Sequence, residues 1–151
     1  MQHGVLCASC FIIDFENKKV LLVHNDIDGQ WIQPGGTIDD GETPIQACNR
    51  IAFEKTGISI NVVNTIFDQE YISPIDVREY DTNIGHMLDI QYMATPNNNI
   101  INEYDGSYAN WFDIDTLEMN PNIDKEIIYK VNKLYKLFKN EKSIKARKKV
   151  I

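Results

Sequence analysis

The chain is poor in several things that would narrow its class. Its 151 residues hold three cysteines, an odd number with two of them only three positions apart, which gives no disulfide framework. No apolar run approaches the roughly 20 residues a membrane-spanning helix needs, so no membrane partner is expected. The opening MQHGVLCASC lacks a basic leader ahead of its apolar stretch, so a signal peptide is not expected and the reading is cytoplasmic. There is no internal repeat, and no Pro/Gly/Ser-rich linker marks a second domain. The reading is one domain over 1–140 followed by a basic tail over 141–151.

Basic residues are also scarce through most of the chain. Residues 1–121 carry 5 Lys/Arg against 19 Asp/Glu, a net −14, whereas residues 122–151 carry 10 against 3, a net +7. An acidic body repels bare polyphosphate, so an anionic ligand there needs a bridging cation or local basic groups. Lys130, Lys133 and Lys136 fall on a predicted helix and read as a solvated face. Lys145 to Lys149 read as a solubilising tail, and nucleic acid is not expected as a partner.

What is present reads as alternating strand and helix. VLCASCFIID (5–14) and KVLLVHN (19–25) form a hairpin about a polar turn. Trp31-Ile32-Gln33 is a short strand stopped by Pro34. Gly35-Gly36 is read as a tight turn with access to positive φ and close ligand approach. Thr43, Pro44 and Gln46 make a capping box with proline at the first helical position, and Gly57 ends that helix. Ile45, Cys48 and Ala52 recur at helical spacing and face a core. Residues 58–73 read as one or two strands, 74–84 as an acidic loop, and 85–95 as a strand with Met87 or Leu88 inward. Residues 108–114 read as a strand followed by a turn. Ile123, Ile127, Val131, Leu134 and Phe138 give an amphipathic helix over about 122–140. Cys7 and Cys10 fall on opposite strand faces and read as packing residues. His24 and His86 read as strand-end histidines. Trp31, Phe67, Tyr71 and Trp111 read mostly as core, with one aromatic left free to stack on a base.

The stretch GGTIDDGETPIQACNRIAFEKTGI (35–58) is the segment whose spacings imply chemistry. Gly36 is followed by five residues and Glu42, and seven more lead to Arg50. Ala52, Glu54, Gly57 and Ile58 then follow in fixed register. This resembles the Nudix box, and the lead-in Trp31 to Gly35 and the later Gly85–Met93 and Trp111–Leu117 stretches extend the likeness over most of the chain. The resemblance implies an α/β fold, a Nudix-like α/β/α sandwich around a mixed sheet. It implies hydrolysis of a pyrophosphate bond in a nucleoside diphosphate linked to another group, a small nucleotide-type substrate, with Mg²⁺ or Mn²⁺. In that frame Glu54 is catalytic and a metal ligand, joined by the Gly35 carbonyl and Glu103 from a later loop. Gly36, Glu42, Arg50 and Gly57 are structural, and a homodimer is one assembly to test for. Carboxylates at i, i+3 and i+4 share a helix face and hold a hard cation against phosphate oxygens.

Two positions depart from the pattern. Ile51 stands where the box has the glutamate after arginine, and Lys55 where it has the second of the paired glutamates. Three outcomes remain open. Acids at Asp39, Asp40, Glu70, Glu79, Glu103 or Asp105 substitute for the missing carboxylates; Lys55 itself contacts phosphate; or the fold persists as a module that binds a nucleotide or partner without catalysis. Glu42 and Arg50 read as a structural ion pair between loop and helix, and Glu54 either as a site acid or as an i,i+4 partner of Arg50.

Overall fold

A computed structural model describes residues 4–66, 70–101 and 108–141. Eight strands form one mixed sheet with a helix on each face. In chain order these are β1 (Val5–Asp14), β2 (Lys19–His24), β3 (Trp31–Ile32), β4 (Gly35–Thr37), α1 (Pro44–Thr56), β5 (Ile60–Val63), β6 (Asp76–Thr82), β7 (Gly85–Pro96), β8 (Ala109–Asp113), a 3₁₀ turn (Ile114–Met119) and α2 (Lys125–Phe138). The main path runs β3-β2-β1-β7-β5, with β8 on β2, β4 on β1 and β6 on β7. Among the described strands only β1 and β7 pair in parallel. The sheet is therefore mixed, as a crossover between long central strands requires.

Alternation along β1 sends its side chains to two cores. Ala8, Cys10 and Ile12 join Cys48, Ile51 and Ala52 of α1. Phe11 and Ile13 join Ile127, Val131 and Leu134 of α2. All three cysteines are buried free thiols. β1 pairs with β2 through its C-terminal end and with β4 through Cys7 to Ser9. That split places Gln33 and Pro34 beside the middle of β1, where the Pro34 carbonyl accepts from the Cys10 amide at 3.1 Å.

The structure corrects several sequence expectations. Residues 76–82 are a strand, β6, paired antiparallel along β7. It is mostly exposed on both faces, so no apolar alternation marks it; the backbone ladder of β7 holds it. In 58–73 only Ile60–Val63 is strand among the described residues, and Phe67 lies outside them. Tyr71 is 70% exposed, because it sits in the approach to β6 rather than in a sheet register. Gly35 and Gly36 do not use positive φ; the described positive-φ glycines are Gly29, Gly41, Gly57 and Gly85. They are strand residues, opposite Ser9 and Ala8. Lys133 and Lys136 are exposed as expected, but Lys130 turns inward against the sheet. The basic cluster from Lys145 to Lys149 lies outside the described residues.

Candidate functional site

The loop and helix of the box are fastened locally. Thr43 accepts from the Gln46 amide at 3.1 Å, and the Gln46 side chain accepts from the Thr43 amide at 2.9 Å. Gly57 closes the helix at φ 75°, a conformation cheap for glycine. Arg50, at the middle of α1, binds four groups. Its guanidinium grips Glu42 through two bonds of 2.8 and 3.0 Å, the Thr37 carbonyl at 3.0 Å and Glu54 at 3.2 Å. The Asp39 carboxylate lies 3.4 Å away. A planar fork suits this bidentate grip. Arg50 therefore ties β4, the acidic loop and α1 together.

This clamp has a pH signature. The Arg50 hydrogen bonds, and then the Asp39 amide, hold the Glu42 carboxyl below the usual glutamate value of 4.5. A carboxyl depressed on folding contributes stability that is present above its unfolded pKa and lost as pH falls through the folded one. Glu42→Gln is therefore expected to flatten the acid limb of a stability-versus-pH curve below about 4.5. An unchanged limb in urea titrations would remove Glu42 from the clamp.

The two departures have definite places. Ile51 is 3% exposed, in the α1-side core. A methyl at Gly36 would meet its Cδ1 at 3.4 Å. Ile51 thus extends the apolar face of the helix. Lys55 bends across to β4, where its ammonium donates to the Gly35 carbonyl at 3.0 Å. Burial pushes this ammonium's pKa down, offset in part by Glu54.

Among the described residues, the donors present do not fit a divalent cation. The Gly35 carbonyl, one of the three expected ligands, already holds a lysine ammonium, and a cation there would face like charge. Glu54 is engaged by Arg50. Glu103, like Asp105, lies outside the described residues. Of the substitute acids, Asp39 lies against Arg50, Asp40 and Glu70 are exposed, and Glu79 lies 3.6 Å from His86. Among the described residues no three His, Cys, Asp or Glu groups stand close enough to hold a metal ion.

On the opposite face of the sheet, a cleft of about 1080 Å³ opens between the strands and the start of α2. Ile32, Gln33, Tyr80, Asp89, Gln91 and Lys130 are among its lining residues. The cleft and Lys55 meet at one strand pair. Ser9, whose hydroxyl joins the cleft's polar floor, is the β-partner of Gly35, whose carbonyl holds Lys55. Neither His24 nor His86 lines the cleft. His24 packs edge-on to Trp31 and Tyr108, and His86 pairs with Asp81 at 2.7 Å on the exposed β6–β7 ribbon.

Sequence reading missed the cleft residues. The available signal was in β7, where Met87, Asp89, Gln91 and Met93 share a face by alternation. Two buried polar side chains between two methionines mark a strand that faces something other than core.

The NUDIX domain family model matches residues 5–131. This chain belongs to the NUDIX family, whose general chemistry is pyrophosphate hydrolysis. A NUDIX family hydrolase from Clostridium perfringens superposes with TM-score 0.79 at 23% identity, over 90% of this chain and 99% of that one. A MutT NUDIX hydrolase from Burkholderia pseudomallei gives 0.65 at 18%, over 87% and 98%. An Ap4A hydrolase from C. elegans, solved as a binary complex, gives 0.66 at 17%, over 88% and 96%. At these identities the likeness carries the mixed α/β fold alone. No curated protein matches the sequence.

Proposed function

We propose that this chain binds a small nucleotide-type phosphoanhydride, a nucleoside diphosphate joined to a further group, and holds its phosphates through Lys55 in place of a divalent cation. The observation that carries this reading is the Lys55 ammonium seated on the Gly35 carbonyl at 3.0 Å. An ammonium has three donors, and the carbonyl takes one. Two remain for phosphate oxygens at the position the family gives to a cation. Arg50 is already committed to Glu42, Thr37 and Glu54. Lys55 is therefore the box's available cation in an otherwise acidic body, where a phosphate needs local positive charge.

Calorimetric titration with α,β-methylene nucleoside diphosphates, in EDTA and in Mg²⁺, tests this. Affinity is expected to agree within about threefold between the two, a difference well below the 1.4 kcal/mol that a factor of ten represents. Binding that appears only with Mg²⁺ would overturn the reading. Because the phosphates meet an ammonium, affinity should also fall as pH rises through the depressed Lys55 pKa.

A second reading is hydrolysis of the same phosphoanhydride with Mg²⁺ or Mn²⁺. It is favoured by the family's chemistry and by Glu54, whose side chain keeps 48% exposure at the box position. Phosphate release from a nucleotide panel, lowered by about 10²-fold or more in Glu54→Gln, would establish it. Absence of turnover with either cation would dismiss it.

A further inference from the structure

The cleft floor carries a hydrogen-bonded row whose polarity is fixed from its charged members. Lys130 is donor only, so the Gln91 amide oxygen must accept from it, at 2.6 Å. The Gln91 NH₂ group then faces Asp89 and donates to Oδ2 at 3.1 Å. Asp89 is acceptor only, so the Ser9 hydroxyl donates to the same Oδ2 at 2.9 Å. Having spent its proton, Ser9 accepts from the Gln33 NH₂ group at 3.4 Å. The amide orientations of Gln91 and Gln33, often ambiguous, follow from this order.

Two acceptors are left over. Asp89 Oδ1 and Gln33 Oε1 are buried with no hydrogen-bond partner among the described residues. Asp89 is 7% exposed, and both residues line the cleft. An unmet buried acceptor is costly, more so when charged. The cleft also holds more acid than base: Asp28, Asp89, Glu118, Asp124 and Glu126 against Arg78, Lys125 and Lys130. Arg78 is paired to Glu126 at 2.9 Å, and Lys130 to Asp76 at 2.9 Å. This acid-rich cleft suits hydrogen-bond donors rather than phosphate. Ile32 and the Tyr80 ring, over which the Arg78 guanidinium lies at 5.1 Å, give the lining apolar surface for a heterocycle.

Resting on the nucleotide-binding reading above, we infer that Asp89 and Gln33 form a donor-reading floor. It selects a base edge with an amino group beside a ring N–H, as guanine has, over an edge with carbonyls on both sides, as uracil has. Asp89→Asn is the informative change. Its amide oxygen must take the place of Oδ2 to meet Ser9 and Gln91, so its NH₂ group replaces the free acceptor with a donor. The cleft then faces a carbonyl-bearing base with a donor.

The experiment titrates the full chain with the α,β-methylene diphosphates of guanosine and uridine. Wild type is expected to prefer the guanosine compound by about 10–100-fold, the range of one well-made bidentate base contact. Asp89→Asn should cut that preference about tenfold or more, at a melting temperature checked by circular dichroism. Gln33→Met, outside the charged part of the row, should weaken the same preference and provides the second variant should Asp89→Asn fail to fold. Equal binding of the two compounds by wild type, or a preference that neither substitution moves, would overturn the inference and leave the nucleotide-binding reading standing. Failure of wild type to bind either compound would overturn both.

Discussion

Gly35→Ala is expected to destabilise the protein by about 1–3 kcal/mol, the usual cost of forcing volume into a packed site, whereas Gly36→Ala should change stability by no more than about 0.5 kcal/mol. The two neighbours look alike in sequence, and Gly36, the first fixed glycine of the box, looks the more important. Their surroundings differ. A Cβ on Gly35 would stand 2.6 Å from the Ser9 Cβ, 3.0 Å from the Ala8 carbonyl oxygen and 3.2 Å from the Ser9 Cα. These atoms belong to β1, which is hydrogen-bonded on both sides and cannot withdraw. A Cβ on Gly36 would meet only the end of the Ile51 side chain, at 3.4 Å from Cδ1, and a methyl group there can turn aside. Losing glycine's unfolded-state entropy even favours Gly36→Ala slightly. Urea unfolding of both variants decides the matter. At this chain length each kcal/mol lowers the melting point by roughly 2–4 °C, so the difference is measurable. Equal losses at the two positions would refute the close-packing account. Gly35→Ala should also weaken ligand binding, because separating β4 from β1 moves the carbonyl on which Lys55 rests.

The two glycines also show which parts of this structure are readable from sequence. Where a residue's role is decided by its chain neighbours, the reading holds. The capping box of Thr43, Pro44 and Gln46 and the glycine stop at Gly57 form as their spacing predicts, because each bond spans three or four residues. The same is true of the β1–β2 hairpin and of the buried stripe of α2. Where the role is decided by a distant partner, the reading fails. Gly35 is a glycine because of Ser9, not because of its own φ. β6 exists because β7 offers a free edge over Gly85–Gln91, and its inward residues Arg78 and Tyr80 are only half-buried and give no apolar alternation to detect. Lys130 borders the buried stripe, three residues from Ile127 and four from Leu134, and its place is decided by Gln91 and Asp76 of distant strands and by Glu126. The departures at Ile51 and Lys55 are visible against the Nudix box that the stretch resembles. That Lys55 would reach the Gly35 carbonyl depends on how closely α1 packs against β4, which no local pattern encodes.

The Lys55–Gly35 contact supplies the sharpest test of whether a cation binds at the box. Lys55→Glu should leave the protein less stable in EDTA by about 1–3 kcal/mol, since it strips the Gly35 carbonyl of its donor and sets a buried carboxylate beside it. The introduced acid also faces Glu54, whose charge now favours the Lys55 ammonium. Mn²⁺ or Mg²⁺ should reverse the loss. Glu54, the introduced carboxylate and the Gly35 carbonyl together offer three oxygen ligands to a hard cation. Free cation at a hundredfold excess over its dissociation constant stabilises a folded state by about 2.7 kcal/mol. Wild type, with an ammonium in that position, should show no such response in thermal melts. Lys55→Met separates the two roles assigned to the side chain: it should lose nucleotide affinity, having no positive charge, and gain no cation response, having no carboxylate. A wild-type melting point that climbs with Mn²⁺ as steeply as that of Lys55→Glu would mean that a cation site exists despite the lysine. The ammonium would then be displaced from the carbonyl when the cation binds, and metal-dependent hydrolysis through Glu54 would become the better reading of this box.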